Sequence, residues 1–144
     1  MRSFKVNNMN EIEIPIENVN QILAHAQSAA GSEICGFIAA KNGKINRVYP
    51  VVNVASSPAC FYRMDEKQQI DTMRKMRESG EELFGIYHSH PSSGAVPSEV
   101  DIKEAAYPEA VYFIVSLNTV GVLEMRAFYL KDSLMKELEL SVIA

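Results

Sequence analysis

Residues 83–101 read LFGIYHSHPSSGAVPSEVD, and this stretch decides both the fold class and the chemistry. Its first half, Leu83 to His88, has the β-branched and aromatic content of a strand that runs into a loop spanning Ser89 to Pro97. On a strand alternate residues share a face, so Phe84, Ile86, His88 and His90 are expected to point the same way. Two imidazoles at i and i+2 then converge on one point, at a strand end just before Pro91 stops the pairing. Ser98 opens a short helix that must end before Pro108. Ser-x-x-Asp ahead of Ile102, Ala105 and Ala106 is a capping box, and the helix dipole favours Asp101 in the first turn, so both residues have a structural explanation. Neutral imidazoles also bind zinc at about 2.0–2.1 Å, and a catalytic site takes a third protein ligand and an open position for water. Asp101, at the start of the next helix, is the candidate third ligand.

Outward from this stretch, strands and helices alternate irregularly. Residues 12–14 form a short strand at most. Ile16, Val19, Leu23, Ala26 and Ala30 recur at helical spacing after Pro15, and Gly31 is placed to terminate that helix. Ile34 to Ala40 reads as a buried strand, and Lys41-Asn42-Gly43-Lys44 supplies a hairpin turn. The returning strand runs from Ile45 to Val54, and residues 59–64 form a further strand. A helix follows from Glu66 to Ser79, with Asp65 and Gln68 as its capping box and Gly80 beyond its end. Val111 to Leu117 and Val122 to Leu130 are strands around a turn at residues 118–121. In the second of them Leu123, Met125, Ala127 and Tyr129 share a face. The tail, with Leu138, Leu140 and Val142 alternating with Glu139 and Ser141, reads as an edge strand. This order predicts an α/β fold with a mixed β-sheet flanked by helices.

Composition narrows the function classes without choosing among them. The chain has 144 residues, which fits a single domain over 1–144. Hydrophobic residues make up 47%, which excludes disorder, and seven glycines and two cysteines exclude collagen and disulfide scaffolds. A net charge of −4 provides no basic footprint for nucleic acid. No apolar run approaches the ~18 residues of a membrane span, and the N-terminus lacks the apolar core of a signal peptide. The expected setting is cytoplasmic, and an oligomer is compatible with this composition.

His88-Ser89-His90-Pro91, then six residues, Ser98, two more and Asp101, resembles the complete signature of the JAMM (MPN+, JAB1) zinc metallopeptidase family. The family's companion glutamate occurs in a Glu-x-Cys-Gly context, and this chain has Glu33-Ile34-Cys35-Gly36. A chance match to the downstream pattern is on the order of one in 10⁵ at ordinary residue frequencies. The resemblance implies a mixed sheet with packed helices, similar in outline to cytidine deaminases. It also implies His88, His90 and Asp101 as ligands of one Zn²⁺, water in the fourth position, Glu33 as the catalytic acid/base and Ser98 as donor to the oxyanion. The deaminase H-x-E and P-C-x-x-C pattern is absent, as is the H-E-x-x-H zincin pattern.

Phe61-Tyr62-Arg63-Met64-Asp65 and the context of the histidines are most similar to the compact prokaryotic members. The implied substrate is a ubiquitin-like or sulfur-carrier protein with a Gly-Gly tail, from which a metallo-isopeptidase or peptidase releases an adduct or conjugated partner. At this length there is no room for long substrate-gripping insertions, so a partner presenting its own tail, or a companion domain, is expected to supply the grip. Two other classes compete: a catalytically silent MPN-type scaffold, marked by a lost ligand, and a zinc hydrolase of a small amide, marked by a small closed pocket. Cys35 is read as a small buried hydrophobe and Cys60 as a bystander. His25 is read as solvated or half-buried, and the methionines, Met73 and Met76 among them, as gap-fillers.

Overall fold

The computed structural model describes residues 10–118 and 124–144. In chain order the elements are β1 (Glu11–Pro15), α1 (Ile16–Ser28), β2 (Cys35–Lys41), β3 (Lys44–Val51), α2 (Glu66–Glu78), β4 (Glu82–His90), α3 (Glu99–Glu104), β5 (Val111–Ser116), β6 (Glu124–Lys131) and β7 (Leu134–Ile143). The strands form one seven-stranded sheet in the order β1-β7-β6-β5-β4-β2-β3. β1–β7 and β4–β5 are parallel, and the remaining neighbours antiparallel. The α/β class with a mixed sheet flanked by helices is therefore as expected.

Local chemistry accounts for most elements. The β2–β3 hairpin turns on Asn42 and Gly43, both at positive φ (53° and 77°), the backbone that an Asn-Gly pair adopts readily. α1 packs on one sheet face through Val19, Ile22 and Ala26, joining Ile12, Ile14, Tyr87, Phe113 and Tyr129. α2 and α3 cover the other face, where Met76, Met73 and Ile102 meet Phe37, Ile86, Tyr112 and Phe128. Gly36 and Gly85 sit where there is no room for a side chain: a Cβ on Gly36 would stand 2.4 Å from the Tyr87 ring, and one on Gly85 2.6 Å from the Val111 carbonyl oxygen.

Several expectations need correction. Residues 59–64 form no strand; a single bridge links Met64 to Asn53, and the segment is otherwise turn and coil, held by a few backbone bonds and by the Asn53 side chain instead of a ladder. The tail is not a sheet edge. β7 begins at Leu134 and lies between β6 and β1, because the short first strand returns in parallel to cover it. α1 ends at Ser28 with Ala29 as its cap, before Gly31, and its inward stripe uses Ile22 in preference to Leu23. Gln68 does not complete a capping box: Asp65 accepts from the Gln68 N–H, but the Gln68 side chain accepts from the Val52 N–H. Phe84 departs from the alternation, because pairing passes from Leu83↔Ala39 to Gly85↔Ile38 and leaves it as a bulge. It therefore joins the α1 face while Ile86 lies on the other. The predicted turn at residues 118–121, beyond Asn118, and the start of the strand at Val122 and Leu123 lie outside the described residues.

Candidate metal centre

Two neighbouring strands bring the expected residues together. β2 and β4 are antiparallel with Cys35 opposite His88, so extending the register by two residues sets Glu33 beside His90. β4 continues through His90, pairing with Ser116 of β5, two residues further than the sequence reading carried it. Ser89, between the histidines, faces the opposite way. Its hydroxyl accepts from the Ile34 N–H at 2.9 Å, and its own N–H donates to the Ile34 carbonyl. The residue next to Glu33 is thereby tied to the histidine strand. The Ser98–Asp101 capping box is complete, and it turns the Asp101 carboxylate back toward the strand end.

The result is a closely spaced set of four potential ligands. One side-chain donor atom each from Glu33, His88, His90 and Asp101 lies within 4.8 Å of all the others, and all four residues are buried. His88 Nε2 and His90 Nε2 are 3.2 Å apart, and each lies close to Asp101 Oδ2, at 3.1 and 3.0 Å. Two tetrahedral ligands at about 2.0–2.1 Å from one ion stand about 3.3 Å apart, so this spacing suits a single small cation. His90 Nδ1 donates to the Gly94 carbonyl at 2.8 Å, which leaves Nε2 of the neutral ring as a lone pair directed at a carboxylate. Such an arrangement repels itself unless a proton or a metal ion lies between. Nitrogen and oxygen donors of this kind fit a divalent transition ion.

The electrostatics follow from burial and these contacts. Burial pushes the Asp101 carboxyl upward, but its bonds to His88 and His90 outweigh burial and hold it far below the usual carboxylate range. Burial lowers His88, overcoming the Asp101 bond that raises it. His90, also pushed down by burial, is raised on balance by Asp101 and Gly94. Glu33 is pushed up to about 7, chiefly by burial and then by the Asp101 charge. Its Oε1 is buried without a hydrogen-bond partner among the described residues. A carboxyl poised near neutrality exchanges protons readily at physiological pH.

A sequence profile of the prokaryotic homologs of the JAB domain matches residues 15–131. The chain belongs to this family. Among other members, it is 35% identical over 127 residues to the CysO-cysteine peptidase of Mycobacterium tuberculosis, covering 87% of this chain and 86% of that protein. It is 36% identical over 103 residues to the desampylase of Haloferax volcanii, covering 67% of this chain and 74% of that one. A JAB1/MPN domain protein from Archaeoglobus fulgidus shares the fold, with a TM-score of 0.63, 21% identity, 92% of this chain and 100% of that chain covered.

In this JAB domain the other singled-out residues take mostly structural positions. Ser98 Oγ accepts from the Asp101 N–H, which leaves its O–H free to donate beside the cluster. Cys35 is buried, its thiol pushed up to about 12 by burial and then by Glu33, so it stays protonated. Cys60 is exposed. His25 is half-buried and bonds Tyr87 Oη at 2.8 Å. A cleft of about 700 Å³ opens beside Asp101, with Phe61, Tyr62, Tyr107 and Tyr112 in its walls. Asn53 is a residue that sequence reasoning missed. Its amide donates to the Glu33 and Phe61 carbonyls and accepts from the Ala55 and Arg63 N–H groups, pinning the general region of Glu33 to the loop over the site. An asparagine in a loop carries no signal of that role until its partners are known.

Proposed function

We propose that this hydrolase holds one zinc ion through His88, His90 and Asp101 and cleaves after the C-terminal Gly-Gly tail of a ubiquitin-like or sulfur-carrier protein, releasing an adduct or a conjugated partner. The convergence of three neutral or anionic donors around one point, with the unpartnered Glu33 carboxyl beside them, is the observation that carries this reading. Bound zinc supplies Lewis acidity, which polarises a carbonyl and brings the pKa of water near 7. Glu33 takes the proton from the attacking water and returns it to the leaving nitrogen or sulfur. Ser98 donates its O–H to the oxyanion as the carbonyl carbon becomes tetrahedral. The aromatic cleft beside Asp101 accommodates an extended tail, and glycines let its backbone approach closely.

The substrate class rests on the relatives, one named for CysO-cysteine and one as a desampylase. A catalytically silent module is disfavoured because Glu33, His88, His90 and Asp101 are all present and lie together. We take residues 1–144 as one catalytic domain acting in the cytoplasm; among the described residues no helix is long and apolar enough to cross a membrane. The test is incubation of the zinc-loaded protein with Gly-Gly-tailed carrier proteins bearing a C-terminal amino acid or a lysine-linked partner, read by intact mass. Release that leaves the carrier ending in Gly-Gly is expected. Intact substrates, with a small amide cleaved instead, would sink the proposal.

A further inference from the structure

His88 and His90 occupy equivalent positions in the ligand set, but different interactions hold them. His90 is fixed by a hydrogen bond from Nδ1 to the Gly94 carbonyl. The corresponding Nδ1 of His88 is buried and has no hydrogen-bond partner among the described residues. A metal-ligating imidazole usually donates its second nitrogen to a carbonyl or carboxylate, which sets the ring orientation, and loss of such a partner typically costs about 10–100-fold in metal affinity. What His88 has is an aromatic ring: Tyr62 stacks on it with centroids 4.5 Å apart and planes 25° from parallel.

Tyr62 is itself held in place from both sides. Asn53 accepts from the Arg63 N–H and donates to the Phe61 carbonyl, each at 2.9 Å, so one side chain clamps the backbone before and after Tyr62. The same amide nitrogen donates to the Glu33 carbonyl at 2.9 Å, and the Glu33 N–H donates to the Pro58 carbonyl at 2.7 Å. The loop between β3 and α2 thus grips the backbone of Glu33 and lays a flat ring on a neighbouring imidazole. From this geometry we infer that Tyr62 is a positioning residue for the metal ligand His88, its stacked ring taking the place of the missing hydrogen bond, with Asn53 holding that ring in register. Aromatic pairs add to burial through defined geometries, offset-stacked or edge-to-face, so a ring held by its own backbone fixes the ring stacked on it. The hydroxyl is not what the stack requires. This inference rests on the metal site proposed above.

Zinc affinity, measured by competition with a chromophoric chelator on purified protein without substrate, tests it. Tyr62→Phe, which keeps the flat ring, should bind as wild type does. Tyr62→Leu, which keeps an apolar side chain but no stacking face, should bind 10–100-fold more weakly. The absorption of the cobalt-substituted protein should shift for Tyr62→Leu and not for Tyr62→Phe, a change that mere loss of fold stability would not produce. Asn53→Ala, which frees both bonds flanking the ring, should weaken binding by a smaller factor and serves if Tyr62→Leu does not fold. Wild-type affinity in Tyr62→Leu or in Asn53→Ala overturns the inference, as does a Tyr62→Phe variant as weak as Tyr62→Leu. A wild-type protein that binds no zinc overturns the metal site and this role together.

Discussion

The two faces of the sheet are built to opposite ends. On the α1 face Ile12, Ile14, Ile22, Ala26 and Phe113 are buried with aliphatic and aromatic neighbours, and each large side chain adds roughly 1.5–3 kcal/mol by leaving water. The other face starts the same way, with Ile86, Ile114 and Phe128, but toward the strand end it buries Glu33, His88, His90 and Asp101 in place of hydrocarbon. Burial disfavours the charged forms of Glu33 and His88, while Asp101 and His90 support each other's charge, and the proximity of all four is what a metal ion can exploit. One face stabilises the sheet; the other uses that stability to hold four ionisable groups together.

Removing a ligand should break this contrast most severely. Asp101→Ala is expected to leave less than a tenth of the bound zinc and no detectable hydrolysis, as measured by metal analysis and intact mass. Full zinc occupancy in that variant would show that the ligands are misassigned. Glu33→Gln should come next, retaining zinc while losing about 10²–10⁴-fold in kcat. The same substitution probes the cost of the cluster. With its pKa raised to about 7, Glu33 in the metal-free folded state keeps a proton that the unfolded chain releases from about 4.5 upward. Stability attributable to this group therefore falls as pH rises through that window and is lowest above 7. Metal-free Glu33→Gln should then be more stable than wild type by on the order of 1–3 kcal/mol at pH 8, and by clearly less at pH 5, by denaturant unfolding. Equal gains at both pH values would remove Glu33 as the source.

Ile22→Ala sharpens the contrast from the α1 side. A fully buried isoleucine truncated to alanine should lose about 2–5 kcal/mol of stability. Zinc content and kcat at a temperature where the variant remains folded should be unchanged, because the site hangs on β2, β4 and α3. A matching loss of kcat would mean that the two faces are coupled.

Much of the site was legible because its parts lie close in sequence. Strand alternation from His88 to His90 and the Ser98–Asp101 capping box are local rules, and both survive in the fold. Phe84 shows where a local rule fails: the bulge opposite Ile38 and Ala39 depends on the partner strand, which alternation cannot sense. The edge assignment of β7 failed for a related reason, since only the return of β1 some 130 positions earlier in the chain covers it. Residues 59–64 misled because their apolar and aromatic content, read as a strand, serves to line the cleft and stack on His88.

The fold class, the hairpin at Asn42-Gly43 and the residues proposed as ligands could be read from the chain alone, because each shows in short-range spacing, in turn chemistry or in a motif that resembles a known family. Tertiary structure alone decided that Glu33 lies beside residues more than 50 positions later, that Ser89 locks the two strands, and that Asn53 and Tyr62 brace the site. Those relations depend on strand register and loop closure, in which distant backbone groups satisfy one another's hydrogen bonds.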